Sequence, residues 1–329
     1  MGSDPESRRA GRLSGCVTES GTWPQGGFMG FDVVGVGASC IDQVCRLPVF
    51  PEAGGPRAKV RMQEQTRTCG GQIATALATC ASLGLHAAYL GVIGEDDDGR
   101  RIRGELESRG IDLGHVELSR AATATATILL DATGDRIVLW HRDPALSYPP
   151  ARLPAGVIAA SRVLHVDDVD VPAAIEAARI AQAHGIPVTC DIDHVTPGTR
   201  ELLQLVSHPV FAETVPSQLT GVTDPAHALR ALRRMHPGRL VVTVGERGAI
   251  ALEGDTLLAA PGFPVTVVDS TGAGDVFRGG YIYGIVHGWS LERQLWFANA
   301  AAAVSCTKAG AMGGVPTLAE VEDLLARRS

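Results

Sequence analysis

From Ser161 onward the chain repeats one pattern: "RVLHVDD", "PAAIEAARIAQAHG", "PVTCDID", "TRELLQLV" and "PVFAE" alternate short apolar runs with amphipathic ones. Short continuous apolar runs between helical segments mark strands buried on both faces, and each helix returns the chain to the same edge. The alternation predicts an α/β fold: a doubly wound, mainly parallel sheet with helices on both faces. Much of the N-terminal half fits the same body. "FDVVGVGASCID" from Phe31 reads as one buried strand with a polar tip at Asp42, and "GGQIATALATCASLGL" as a small-residue helix stopped at Gly84. "HAAYLGVIG" reads as another buried strand, and "DDDGRRIRGELESRGI" as an amphipathic helix with acids in its first turn.

Two regions break the alternation. "QVCRLP" and "AKVRMQEQTR", around residues 43–66, and "TATATILLD" and "DRIVLWH", around 123–141, read as half-exposed strands with no helix between them. They belong together as a small β-sheet beside the main body. Such a sheet serves either as a lid over a site or as a surface for a second subunit, because its apolar face needs a cover.

The 329 residues suffice for one large α/β domain or two smaller ones, and the formal charge of -7 argues against a nucleic-acid partner. No run of about 18 apolar residues is present, so no membrane span is expected. The seven cysteines are scattered, without CxxC or Cys/His zinc spacing, and read as buried free thiols of a cytoplasmic protein. Residues 1–28 lack the apolar core of a secretory signal and read as a leader, with one folded domain over 29–329.

The chemistry concentrates in "VVDSTGAGDVFRGGYIYGIVHG" from Val267. The preceding "FPVTVV" is rich in β-branched residues and predicts a strand running into a helix at Gly272-Ala273-Gly274. The bare amides of that first turn and the positive end of the helix dipole make an anion site. Asp275 then has two readings. It is either a helix N-terminal acid stabilised by the dipole, or a proton acceptor placed beside a bound phosphate. No GxxxxGK lysine loop occurs, so phosphate handling rests on the Gly-Ala-Gly turn.

These residues carry a resemblance. "DSTGAGDVFRGG" resembles the C-terminal signature of the ribokinase-like (carbohydrate kinase) family. In the family's order, "GVGASCID" resembles its first strand with a substrate-binding aspartate, and "GGQIATALATCASLG" its N-terminal di-glycine signature. "VTVGERGA" resembles its nucleotide-contacting strand-turn-strand, and "CTKAGAMGGVP" the loop over adenine and a monovalent cation. The resemblance implies a ribokinase-like fold and ATP-dependent phosphorylation of a sugar hydroxyl with Mg²⁺ and K⁺. Asp275 would be the general base, with the Gly272, Ala273 and Gly274 amides as the anion hole. Asp42, Gly70, Gly71 and Thr75 would hold the acceptor, joined by Arg142 from the lid. Thr243, Gly245, Gly248, Glu213 and Gly310 would line the nucleotide, and Asp269 with Thr271 would hold K⁺. A homodimer through the lid sheet is the expected assembly.

Departures from the family pattern are specific. Ala212 and Val215 stand where Asn and Glu usually approach Mg²⁺ and phosphate, leaving Glu213 to serve through water. Thr75 replaces an Asn, and with "DID" at Asp191–Asp193 this resembles sulfofructose kinase; ketohexokinase is a further relative by pattern. The acceptor wall would carry Asp42, Asp167, Asp168 and Asp170, with Arg142 and Arg57 as the nearest cations, so a neutral sugar or polyol is expected rather than an anionic one. Two rivals share the motifs: a nucleoside kinase, and a catalytically weak ATP-binding partner protein.

Overall fold

The structure is a computed structural model and describes residues 30–133 and 135–327; the leader expected at 1–28 lies outside the described residues. The chain opens with β1 (Val33–Val36), β2 (Cys40–Arg46) and β3 (Glu64–Gly70), then α1 (Gln72–Ser82) and β4 (Ala87–Leu90). A short pair, β5 (Val92–Gly94) and β6 (Glu117–Ser119), brackets α2 (Asp97–Ser108), and the antiparallel β7 (Thr125–Leu130) and β8 (Arg136–His141) follow. After α3 (Ala155–Ala159) comes the predicted alternation: β9 (Val163–Asp167), α4 (Val171–Ala183), β10 (Val188–Ile192), α5 (Thr199–Leu205) and β11 (His208–Phe211). Helices α6 (Val215–Thr220) and α7 (Pro225–Leu232) lead to β12 (Leu240–Thr243), β13 (Ala249–Glu253) and β14 (Thr256–Ala260). Three helices finish the fold: α8 (Ala273–Val286), α9 (Leu291–Cys306) and α10 (Leu318–Ala326).

The main sheet has eight strands in the order β14-β13-β12-β11-β10-β9-β1-β4. It is parallel from β12 to β4, and β13 and β14 add an antiparallel hairpin at one edge. Strand pleating sends neighbouring residues to opposite faces. Val34, Val36, Leu164 and Val166 therefore enter the core beneath α4–α7, while Val33 and Val163 enter the one beneath α1, α8 and α9. Both faces are covered by helices, as the alternation requires.

The four-stranded second sheet runs β3-β2-β7-β8, with β2 and β7 parallel and the outer pairs antiparallel. It gathers the two regions that broke the alternation. Two expectations need correction. The stretch from Phe31 is not one strand: it breaks after Val36, and Asp42 lies inside β2 of the small sheet rather than at the tip of β1. The break has a cause at Asp167, whose Oδ2 accepts the Ala38 amide at 2.7 Å and holds the chain in a turn toward the lid. The run "FPVTVV" is not a strand either. It continues beyond the sheet's edge strand β14, and Val267 and Val268 are exposed. Among the described residues no helix is long and apolar enough to cross a membrane, and six cysteines are free.

Candidate active site

The first turn of α8 forms the centre of the site. Gly272 caps the helix at φ 78°, in the left-handed region, and a Cβ there would lie 2.7 Å from the Ala311 side chain. Only glycine fits both the dihedral and the contact. The turn is pinned from below by Asp269, which is buried: its Oδ1 accepts the Thr271 amide and its Oδ2 the Gly310 amide, each at 2.9 Å. One carboxylate thus joins the two segments expected to share a monovalent cation, the Asp269–Thr271 turn and the loop between α9 and α10. Among the described residues, the amides of Gly272, Gly274 and Asp275 have no protein acceptor, whereas Ala273 donates to the Ser270 carbonyl. Unpaired amides at the start of a long helix suit an anion.

Asp275 follows directly and is half-buried. Burial raises its pKa from 3.8 to about 7, opposed by the Arg278 guanidinium and reinforced by the negative charges of Asp193 and Asp42. A carboxylate held near 7 is matched to taking a proton at neutral pH.

Asp42 approaches the same region from the lid, and the two carboxylates repel each other. Its register partners are Thr68 on β3 and Ala126 on β7. The Cys40 thiol donates to its Oδ1 at 3.2 Å, and burial lifts its pKa to about 6. Gly70 is where it is because a Cβ there would sit 2.0 Å from Asp42 Oδ2. Gly71 caps α1 and packs against the Ser39 backbone. Thr75 is fully buried on α1 beneath Gly272, its hydroxyl without a partner.

On the other side of the site, Thr243 ends β12, and Gly245 and Gly248 bracket a 3-10 turn leading into β13, the expected strand-turn-strand. Glu213 pairs with Arg247 of that turn, and both are exposed. Val215, where the family has an acid, is completely buried. Among the described residues no group of three or more His, Cys, Asp or Glu is arranged to hold a metal ion. Gly310 lies against Thr68 of β3, which brings the loop between α9 and α10 to the small sheet. Arg46 and Arg136 reach from β2 and β8 to the carbonyls of Val268 and Ser270, at 3.2 and 3.1 Å.

The expected acidic wall is largely internal. Asp167 accepts from Ala38, Val169 and Asp170, and Asp168 Oδ2 accepts the Asp193 and His194 amides at 2.8 and 2.6 Å. Asp170 accepts the Tyr148 amide at 2.7 Å and pairs with Arg142 at 3.2 Å. Arg142 also donates to the Leu146 carbonyl at 2.6 Å, so its guanidinium is committed to bracing the segment after β8. Arg57 pairs with Glu52 on the exposed loop before β3. What sequence reasoning missed is Arg278, buried on α8 between Asp191 and Asp193. Its signal was present: an arginine three residues after Asp275 in an otherwise apolar helix. Gln72, which donates to Asp193 at 3.2 Å and Asp168 at 3.4 Å, was missed likewise.

A helix start with unpaired amides and a raised carboxyl, beside a small sheet bearing a second carboxylate, is compatible with a phosphotransferase acting on an alcohol. The chain belongs to the pfkB family of carbohydrate kinases, whose family model matches residues 32–318. It is similar to the ribokinase of Bacillus subtilis, 28% identical over 88% of this chain and 98% of that one. The nucleoside kinase of Methanothermobacter thermautotrophicus is 26% identical over 88% of this chain and 94% of its own. The solved Arabidopsis thaliana ribokinase complexed with ribose and ATP shares the fold, with a TM-score of 0.78 at 24% identity over 90% and 99% of the two chains.

Proposed function

We propose that the chain transfers the γ-phosphoryl group of MgATP to a hydroxyl of a small neutral sugar or polyol, with Asp275 as general base. The observation that supports this most is the placing of Asp275 directly after three amides, two of them without a protein acceptor, its carboxyl raised to about 7. The Gly272–Gly274 amides would steady the transferring group while Asp275 takes the acceptor proton. Asp42, Gly70 and Gly71 would hold acceptor hydroxyls, with Thr75 supporting the turn from below. ATP would lie along Thr243, Gly245, Gly248 and Gly310, near Glu213. Asp269 and Thr271 would face K⁺ together with carbonyls of the α9–α10 loop; a rate no higher in K⁺ than in a bulky organic cation would remove that ion.

A neutral acceptor is supported by charge. Asp42 and Asp275 lie near enough for their charges to repel, while Arg142 and Arg278 already carry carboxylate partners. The test is ADP release with pentoses, ketohexoses, polyols and nucleosides, then kcat/KM for the best sugar against its 6-phosphate and 6-sulfo analogues. A clear preference for either anion, or for a nucleoside, overturns the neutral-sugar reading. The ribokinase and nucleoside kinase relatives mark both ends of that panel.

The exposed apolar residues of β8, Ile137, Val138, Leu139 and Trp140, support a homodimer through the lid sheet. An edge strand with such side chains exposed invites pairing with a second copy.

A further inference from the structure

We propose that Arg278 is a positioning residue of this site: its guanidinium, seated behind the Gly272–Gly274 turn and between Asp191 and Asp193, locks the end of β10 to the first turn of α8 and so fixes where Asp275 stands. The inference rests on Asp275 being the general base. Arg278 is 3% exposed and lies three residues after Asp275, on the same side of the helix. It pairs with Asp191 Oδ1, and with Asp193 Oδ1 at 3.1 Å. A Cβ on Gly274 would stand 2.6 Å from Arg278 Nη1, so the guanidinium fills the space that a side chain at 274 would take. A side chain at 274 would therefore have to displace the Arg278 guanidinium.

A buried ion pair is weak evidence of stability alone, because apolar residues of the same volume serve a core equally well. Here the cation is not even fully satisfied: Arg278 Nε is buried without a partner. Its charge faces a ring of acids instead. Asp275 is faced by Arg278 from its own helix, by Asp191 and Asp193 from the end of β10, and by Asp42 and Cys40 from β2. Arg278 is faced in turn by Asp168 and by His165, which burial keeps neutral. The guanidinium is the positive member of that ring, and it opposes the effect of burial on Asp275.

The experiment compares Arg278→Gln, Arg278→Lys and the paired variant Asp191→Asn/Arg278→Gln, which removes both buried charges together. In Arg278→Gln we expect kcat to fall about 10- to 100-fold with KM for ATP within about threefold, and the acid limb of kcat/KM to move up by about one pH unit. The lysine variant keeps the charge, so its limb stays in place even where kcat is reduced. The paired variant leaves Asp193 its bond from Gln72 and removes one of the acids facing Asp275, so it is expected to unfold near the parent temperature and to show a smaller upward displacement of the limb. A limb unmoved in Arg278→Gln, with kcat in both glutamine variants tracking only the folded fraction, overturns the proposal and leaves Arg278 a fold brace. An Asp275→Asn variant keeps the two failures apart. If it retains parent kcat the base assignment fails; if it is inactive while the Arg278→Gln limb does not move, only the positioning role fails.

Discussion

At the residue scale the site turns on how burial and charge share out protons. Asp275→Asn keeps the shape of the turn and removes the proposed proton acceptor, so turnover is expected to fall about 10²–10⁴-fold with ATP affinity nearly unchanged by calorimetry. Retention of more than about a third of kcat would remove Asp275 from the base role. The same substitution carries a stability signature. The folded pKa of Asp275 is about 7 against an ordinary 3.8, so the folded protein binds this proton more tightly than the unfolded chain. Stability from this group is complete below about pH 4 and is lost as pH rises through about 7. The asparagine variant has nothing to lose, so the ligand-free variant is expected to gain on the parent across that window, by a few kcal/mol at most, and no further above it. Melting temperatures of both proteins from pH 4 to 8 check this. A constant difference would show that the carboxyl is not raised.

At the scale of elements, the packing of β3 against β2 places Asp42, the proposed acceptor ligand. Gly70 ends β3 because a Cβ there would meet Asp42 Oδ2 at 2.0 Å. Gly70→Ala is therefore expected to displace the Asp42 carboxylate, raising the acceptor KM about tenfold or more with little change in KM for ATP, whose expected contacts lie on other elements. An equal rise in both constants in steady-state kinetics would mean that the lid as a whole had shifted. The β10–α8 contact is the complementary device. It closes through the Arg278 ion pairs on one side and the Gly274 backbone on the other.

At the scale of the whole molecule, the small sheet is tied to the body at several points: Arg46 and Arg136 reach the segment before the glycine turn, Gly310 lies against Thr68, Arg67 pairs with Asp98 of α2, and Ile41 and Cys69 enter the core beneath α1. Its outer strand β8 is exposed along its whole length. Leu139, 57% exposed, is the test of the proposed dimer. Leu139→Glu puts a charge on that strand and is expected to shift the protein to monomer in sedimentation at micromolar concentration, at unchanged melting temperature if the lid folds normally. A parent protein that sediments as a monomer would leave the lid face without this partner.

Periodicity and the glycine turn made the parallel sheet, its helical cover, the separate small sheet and the glycine start of α8 legible in sequence, because each follows from contacts between residues near in the chain. Strand pleating, helix faces and a Gly-Ala-Gly helix start are local properties. What tertiary structure decided lies in contacts between distant segments. Asp42 belongs to the lid rather than to the end of β1 because Asp167, 129 residues away from Ala38, captures the Ala38 amide and turns the chain. The β-branched run before the turn is not a strand, since the sheet order already ends at β14. Asp167, Asp168 and Asp170 look in sequence like a wall for substrate, and in space they bind amides of their own and neighbouring loops. Arg278 looked like one polar residue in an apolar helix; only the approach of β10 to α8 gives it Asp191 and Asp193. Local pattern determines which residues must be buried and which turns need glycine, whereas a buried charge acquires its role from whichever distant partner the fold brings to it.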